Sequence, residues 1–519
     1  MDKVAMENFA LEAESHLLQF KAQLLSLDRP VLVGGGVLAA LAAVVVITLL
    51  KGFYNLFLHP LHDIPGPWIA GATRWWLFQR ELVKEDAHAT ILKLHQKYGP
   101  LVRISPDEVS VNDVTAYTEI YSQTSKFPKA KYFYYAFTDQ TANLFSMYDK
   151  KEHIQDKRLM SAAFSKAAIL QREDKIYTMA DQLMDRIAGI SDAKQQFPLL
   201  SSFHCMTLDL ISEFVFGEAP GSLSLSDFKS PIVQEIANAS ATIAFFQQFP
   251  TCRELLRLAG HYKIKAIPNP FLGLGQVADK GLEIMRSPDN TKWTLFGAMV
   301  ETAKKHGITL SNEHLVSEGI LMLVAGTDTT AIALSTTTHN LIRRPELFEK
   351  LRQEIMTVAP TLDSRPKYSD LDALPFLDAC VKEGLRISSP VRGRLPRVVP
   401  KEGWTFKGRF FKPGTIVSAS SLYLLHDEDA FPSPETFDPN RWLGLEDQRA
   451  EKLKYFHPFS RGTRQCIGQN LSLIEQKITL SRLVLRFSPV AVSKPSIEWG
   501  ELGTNAVPDT PLYAQLKCN

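Results

Sequence analysis

Cys466 stands in the run Phe459-Ser-Arg-Gly-Thr-Arg-Gln-Cys-Ile-Gly468, with Gly462 and Gly468 on either side of it. The apolar residues that follow, Leu471, Leu473, Ile474, Ile478 and Leu480, recur at roughly helical spacing, so the cysteine falls between a turn and a helix start. Free N–H groups and the helix dipole favour an anionic sulfur at such a place. The glycines let backbone come close to something large and planar. The pattern can therefore hold a thiolate against a flat cofactor, although a lone cysteine in a loop is more often a structural thiol. Zinc fails on spacing, because no second cysteine lies nearby and His457 is the sole close nitrogen ligand.

Two further constellations could do chemistry or support it. Ala325-Gly-Thr-Asp-Thr-Thr330 sits inside an apolar helical run that includes Leu315, Ile320, Leu321, Leu323, Val324, Ile332 and Leu334. Glycine costs about 1 kcal/mol in a helix interior, and hydroxyl side chains there can bond back to carbonyls and bend the helix. Such a segment is either a satisfied kink or a groove in which an acid and an alcohol deliver protons. Glu383-Gly-Leu-Arg386 puts a carboxylate and a guanidinium on one helix face. Alone, such a pair is usually a solvated contact worth roughly 0–1 kcal/mol. Pro434-Glu-Thr-Phe-Asp-Pro-Asn-Arg-Trp442 follows and carries Arg441.

Met in this order, these motifs resemble those of the cytochrome P-450 family over about residues 60–515. Phe459, Gly462, Arg464, Cys466 and Gly468 match its haem-binding loop. The resemblance implies heme b with Cys466 as axial iron ligand, a thiolate that pushes electron density to favour O–O cleavage. It implies that Asp328 is a relay acid and that the Thr329 hydroxyl bonds the oxygen ligand. Glu383, Arg386 and Arg441 match the family's structural triad behind the haem. The propionates need cationic partners; Arg464 and Arg397 match two of them. His153 and Lys157 fit the register of a third site, with lysine a point charge where arginine would fork, and Arg158 is the alternative there.

These residues need elements to position them. Leu101–Ile104 and Glu108–Val111 read as a hairpin around Ser105-Pro106-Asp107. Helical patterns follow near 165–190, 198–218, 228–250, 273–305, 312–340, 345–358 and 371–387, with short strands near 394–399, 404–411 and 415–418. The expected fold is mainly α with small peripheral β-sheets, matching the P-450 architecture. No linker or repeat divides the chain after about residue 70, so 71–519 is read as one catalytic domain. With 58 Lys+Arg against 56 Asp+Glu there is no net field to argue for nucleic acid. Five scattered cysteines fit a reducing compartment.

The N-terminal extension departs from this pattern. Residues 31–50 carry no charge, and twenty such residues span a hydrocarbon core of about 30 Å. A single transmembrane helix is expected there, between an N-terminal segment over 1–30 and a proline-rich hinge over 51–70. The charge asymmetry is weak, with Lys21 and Arg29 before the helix and Lys51 after it. Similarity to microsomal P-450s implies a lumenal N-terminus and a cytosolic catalytic domain on the endoplasmic reticulum membrane. Leu17, Phe20, Leu24 and Leu27 form a stripe fit either for the membrane interface or for a solvated helix.

The resemblance implies a monooxygenase that takes electrons from NADPH through a separate NADPH–cytochrome P-450 reductase, with cytochrome b5 a second candidate donor. It would place one atom of O2 in a substrate as a hydroxyl or epoxide. The proximal face with Arg461 and Arg464 is expected to meet the reductase. Aromatic residues Tyr132, Phe133, Tyr134, Tyr135 and Phe137, with Phe245, Phe246 and Phe249, suggest a bulky apolar substrate such as a terpenoid or polyketide-derived ring system. Arg392 and Arg394 are candidates to meet an acidic group on it. The run from Phe57 to Pro67 and Arg394-Leu-Pro-Arg-Val-Val-Pro is similar to filamentous-fungal enzymes of secondary metabolism. The alternatives are oxidative ring closure or coupling, an O2-independent rearrangement, and a haem-binding sensor without turnover. The intact Asp328-Thr329 pair weighs against the last two.

Overall fold

The computed structural model describes residues 29–261, 271–287, 292–502 and 505–519. The stripe from Leu17 to Leu27 lies outside them. Helix α1 (Arg29–Phe57) runs unbroken for 29 residues, a length of about 43 Å. Its described apolar side chains, Leu41, Val44, Ile47 and Leu50 among them, are exposed.

The helix continues seven residues beyond the expected boundary at 50, so the connector over 51–70 is helical as far as Phe57. What remains is pinned to the body. Arg103 donates through Nη1 to the Asn55 carbonyl at 2.9 Å, and its N–H donates to the Pro65 carbonyl at 2.8 Å. Asn55 in turn donates to the Ala72 carbonyl at 2.9 Å.

The body is mostly helical with small sheets. Its axis is a 31-residue helix, named α8 below, which packs against six other helices. In chain order the helices that matter are α2 (Ala87–Tyr98), α3 (Lys150–Ser161), α4 (Glu173–Asp192), α5 (Leu199–Phe216), α6 (Pro231–Gln248), α7 (Leu272–Arg286), α8 (Asn312–Ile342), α9 (Pro345–Met356), α10 (Pro375–Ser388) and α11 (Gln469–Arg486). By length and composition α5 and α8 could cross a membrane, but most of their residues are buried inside the body. Glycines set the closest approaches. A Cβ at Gly326 of α8 would lie 2.6 Å from Ile211 Cγ1 of α5, and one at Gly384 of α10 would overlap Thr337 of α8.

The hairpin β1 (Leu101–Ser105) and β2 (Glu108–Val111) forms as expected and extends into a four-stranded sheet. Its order is β1, β2, β7 (Ile416–Ser418), β4 (Arg397–Val398), with β2 and β7 parallel. The pattern over 404–411 is two strands, β5 (Trp404–Phe406) and β6 (Arg409–Phe411). Lys407 and Gly408 join them with φ of 49° and 78°, the pair of positive values that a two-residue hairpin turn demands.

The helical pattern of 273–305 divides into α7 and a separate helix Leu295–Lys305. That of 371–387 divides at Pro375, which opens α10. The sequence reading did not anticipate β3 (Phe197–Pro198), β8 (Phe487–Val492), β9 (Trp499–Leu502), β10 (Asn505–Pro508) and β11 (Tyr513–Cys518). They are short, and Pro489 interrupts the pattern of β8, an edge strand that tolerates it.

Candidate active site

Cys466 occupies the turn before α11. Its N–H donates to the Phe459 carbonyl at 3.1 Å, which closes the loop and fixes Phe459 beside it. Gly462 lies at φ 76° and faces the backbone carbonyls of Tyr121 and Ser122, where a Cβ would overlap them. This corrects the expectation that Gly462 makes room for a cofactor: it does not line the cavity, and its room is used by the chain itself. Gly468 does line the cavity, 3.8 Å from Cys466 Sγ at its Cβ position.

The sulfur is exposed to an interior cavity. The surrounding protein pushes the thiol up, whereas the N–H groups of Gly468 and Gln469 and the Lys157 ammonium pull it back toward the thiolate. Lys157 donates through Nζ to the carbonyls of Thr463 at 2.9 Å and Gln465 at 3.3 Å. It is thus a clamp on the cysteine loop rather than a point charge held ready for a carboxylate. Arg158 is exposed and away from the cavity.

The cavity gathers residues from distant segments. Thr329 and Thr330 of α8, His153 of α3, Arg397 of β4, and Arg464 and Cys466 of the loop all line it. Arg464 donates to the carbonyls of Met147 at 2.8 Å and Asp149 at 3.1 Å, so it forms part of the interior wall and is not a docking charge on the proximal face. Arg461 is tied to Thr118 Oγ1 at 2.8 Å. The 143–149 segment is held from the other side as well. Leu144 N–H donates to Glu318 Oε1 at 2.6 Å, and His314 of α8 meets Asp156 of α3 at 2.8 Å.

Lys129 was not singled out by sequence. It is buried, packs over the Tyr134 and Phe145 rings at 4.3 and 4.7 Å, and pairs by a β-bridge with Arg397. Three lysines within six residues (Lys126, Lys129, Lys131) gave no local sign of which one turns inward. Burial, with Arg464 and Arg397 nearby, pushes its ammonium well below the usual lysine range. Arg464 is held down to about 10, chiefly by burial and then by Arg397. His153 is lowered to about 2 by burial and four surrounding cations, and so is neutral.

Among the described residues, His153 Nδ1, Arg397 Nε and Tyr134 OH are buried without hydrogen-bond partners, and all three residues line the cavity. Crowded cations and orphaned polar atoms fit a group that brings its own anions. Haem, with two propionates at one edge, is such a group.

Asp328 departs from expectation. It does not line the cavity. Its Oδ1 faces His204 Nε2 of α5 at 3.4 Å, and its Oδ2 accepts from Asn505 Nδ2 of β10 at 3.4 Å. Successive helical residues point about 100° apart, and with Asp328 turned to the α5 wall only Thr329 of the pair lines the cavity. α8 is also continuous as a helix through this segment, and Gly326 is explained by Ile211 against it. Thr329 Oγ1 donates to the Ala325 carbonyl at 2.9 Å.

Of the eight aromatic residues expected at the substrate, one lines the cavity. Tyr134 lines the cavity, joined by Phe145, but Phe133 is buried, Tyr132 donates to Glu108 at 2.6 Å, and Phe249 packs on Phe78. Arg392 and Arg394 do not reach the cavity either. Arg394 is paired with Glu81 and Glu108, both at 3.1 Å, and Arg392 lies over the Trp499 ring at 4.8 Å. The triad is assembled. Glu383 and Arg386 are fully buried and joined at 2.9 Å, and Arg441 donates to Glu383 at 2.9 Å.

Comparison with known proteins follows this geometry. The family model described as Cytochrome P450 matches residues 65–508. A cytochrome P450 monooxygenase, macH, of Penicillium terrestre is 30% identical over 87% of this chain and 92% of its own length. The monooxygenase aneF of Aspergillus aculeatus is 29% identical over 87% and 93%, and TRI4 of Trichoderma arundinaceum is 31% identical over 84% and 86%. A family match over most of the chain, together with a cavity built around one loop cysteine, leads to a single assignment: the chain belongs to the cytochrome P450 family of haem-thiolate monooxygenases.

Proposed function

We propose that this chain is a membrane-anchored monooxygenase of fungal secondary metabolism that oxidises a bulky, uncharged apolar substrate. The observation that carries the reading is one cavity lined at once by Cys466, by Thr329, and by Lys129, His153, Arg397 and Arg464. Haem bound there, with Cys466 as its thiolate ligand, supplies the dioxygen chemistry that puts one oxygen atom into substrate and releases the other as water. Lys129, Arg397 and Arg464 would hold the propionates, and His153 would complete that edge. Thr329 hydrogen-bonds at the reacting side, supplied with protons by Asp328.

Away from the cationic edge the walls are Leu144, Ile211, Leu321, Met322 and Val391, which favour an uncharged ring system such as a terpenoid or polyketide-derived intermediate. Electrons come from NADPH through a separate reductase, by the general practice of the family. α1, with its exposed apolar side chains, supports anchoring in the endoplasmic reticulum membrane with the body on the cytosolic side.

The test is a carbon monoxide difference spectrum of dithionite-reduced, full-length protein in membranes, followed by NADPH oxidation with and without added reductase. A strongly red-shifted Soret band with reductase-dependent consumption is expected. A band at the position of histidine or neutral-thiol ligation would sink the assignment of Cys466.

A further inference from the structure

Asp328 has a partner that the family motif does not specify. His204, on the first turns of α5, brings Nε2 to 3.4 Å from Asp328 Oδ1, and this ring nitrogen has no hydrogen-bond partner of its own among the described residues. The contact is not incidental to packing. One turn on, Thr207 Oγ1 donates to the Thr327 carbonyl of α8 at 2.9 Å, and Ile211 fills the space over Gly326. Three successive turns of α5 thus meet the relay segment of α8, through an imidazole, a hydroxyl and an alkyl chain. Asp328 is turned from the cavity toward this wall, while its neighbour Thr329 lines the cavity. His204 and Asp328 keep 14% and 17% of their side chains accessible, enough for water to reach the pair.

We propose that His204 is a positioning residue that holds the Asp328 carboxyl on the α5 side of α8 and recharges it with protons. The step balances with water as the proton source. His204 takes a proton from water at Nδ1 and gives the Nε2 proton to the Asp328 carboxylate; it regains its starting tautomer when water removes the Nδ1 proton and returns one to Nε2. Asp328, now neutral, carries that proton toward the Thr329 hydroxyl by turning its side chain. The inference rests on the reading of Asp328 as relay acid.

The electrostatics suit the exchange. Burial pushes the Asp328 carboxyl up and the His204 imidazolium down, each opposed in part by the other. Their proton affinities therefore move toward each other, which eases transfer between them. From α8 the group facing His204 is Asp328. From β10 the group facing the acid is the uncharged Asn505.

The experiment uses full-length protein in membranes with reductase and NADPH, reading NADPH oxidised and peroxide released without added substrate. His204→Gln keeps a donor for Asp328 but cannot pass a proton through. It should slow oxidation about 10-fold or more, enlarge the solvent deuterium isotope effect, and leave the red-shifted carbon monoxide band intact. Full activity in His204→Gln with loss only in His204→Phe would reduce His204 to a packing contact and overturn the proposal. Unchanged rates in both, beside a slowed Asp328→Asn, would overturn it while sparing the relay; an unslowed Asp328→Asn would overturn the relay itself.

A second measurement needs no turnover. The infrared carboxyl band assigned to Asp328 by its loss in Asp328→Asn should titrate at higher pH in His204→Phe, since a neighbouring imidazole that favours the carboxylate has gone. An unchanged titration would mean that the two groups do not interact.

Discussion

Arg441 Nε donates at 2.9 Å to Glu383 Oε1 although 58 positions separate the two residues. The same oxygen accepts from Arg386 Nη2 and from the Asp438 N–H, both at 2.9 Å, while Oε2 accepts from Arg386 Nε at 3.0 Å and Trp442 Nε1 at 2.9 Å. A buried carboxylate saturated in this way costs little to keep and much to break. Arg441→Leu leaves it short of a cation, and removing one partner of a buried pair costs about 3–5 kcal/mol. The expected result is a large fall in haem-loaded protein, read from the carbon monoxide band per unit of polypeptide. Arg441→Lys should recover little, because lysine cannot reproduce the fork that also reaches the Thr436 carbonyl at 3.1 Å. Normal haem content in Arg441→Leu would show that the triad does not stabilise the site.

Cys466→Ser removes the sulfur and leaves the loop hydrogen bond from its backbone in place. The thiolate-type band should vanish while the protein stays folded by circular dichroism. Lys157→Met, by contrast, should keep the band. It removes two charge-assisted bonds to the loop carbonyls, each worth about 1.5–3 kcal/mol, and should lower the thermal midpoint of haem release.

Thr329→Ala deletes a hydroxyl whose structural bond is to a carbonyl of its own helix. Helix stability should change by less than about 1 kcal/mol. Peroxide released per NADPH should rise severalfold if the hydroxyl guides protons, and an unchanged ratio would assign proton delivery to another group.

His95, far from the cavity, gives a pH prediction with a definite sign. Its ring nitrogens bond the Gly99 carbonyl at 2.9 Å and Ser110 Oγ at 2.8 Å, and burial holds its pKa at about 4, below the ordinary 6.5. The unfolded chain therefore binds a proton between these values that the folded chain refuses. Stability is intact above pH 6.5 and falls as the pH drops toward 4, by about 3 kcal/mol from this residue. His95→Gln should be less stable at pH 7.5 yet lose less between pH 6.5 and 4.5 in denaturant titrations. Parallel acid limbs in the two proteins would refute the assignment.

Local pattern sufficed for the identity of the site because its chemistry is concentrated in short runs. The cysteine loop, the Ala325–Thr330 segment and Glu383–Arg386 each declare themselves through residues a few positions apart, and long apolar periodicity gave α5 and α8 their extents and α11 its start. The Lys407-Gly408 turn and the short C-terminal strands escaped because a few residues carry too little periodicity to separate strand from loop.

Tertiary structure alone decided which way side chains point. No local signal turns Lys129 rather than Lys131 inward, sends Arg392 and Arg394 to Trp499 and two glutamates, or buries Phe133 in core rather than at substrate. It also decided that Gly462 serves the Tyr121 backbone and that Asp328 faces His204 rather than the cavity. Each of these choices depends on a partner tens or hundreds of residues away, and burial makes the partner's charge or shape count; sequence order does not encode that proximity.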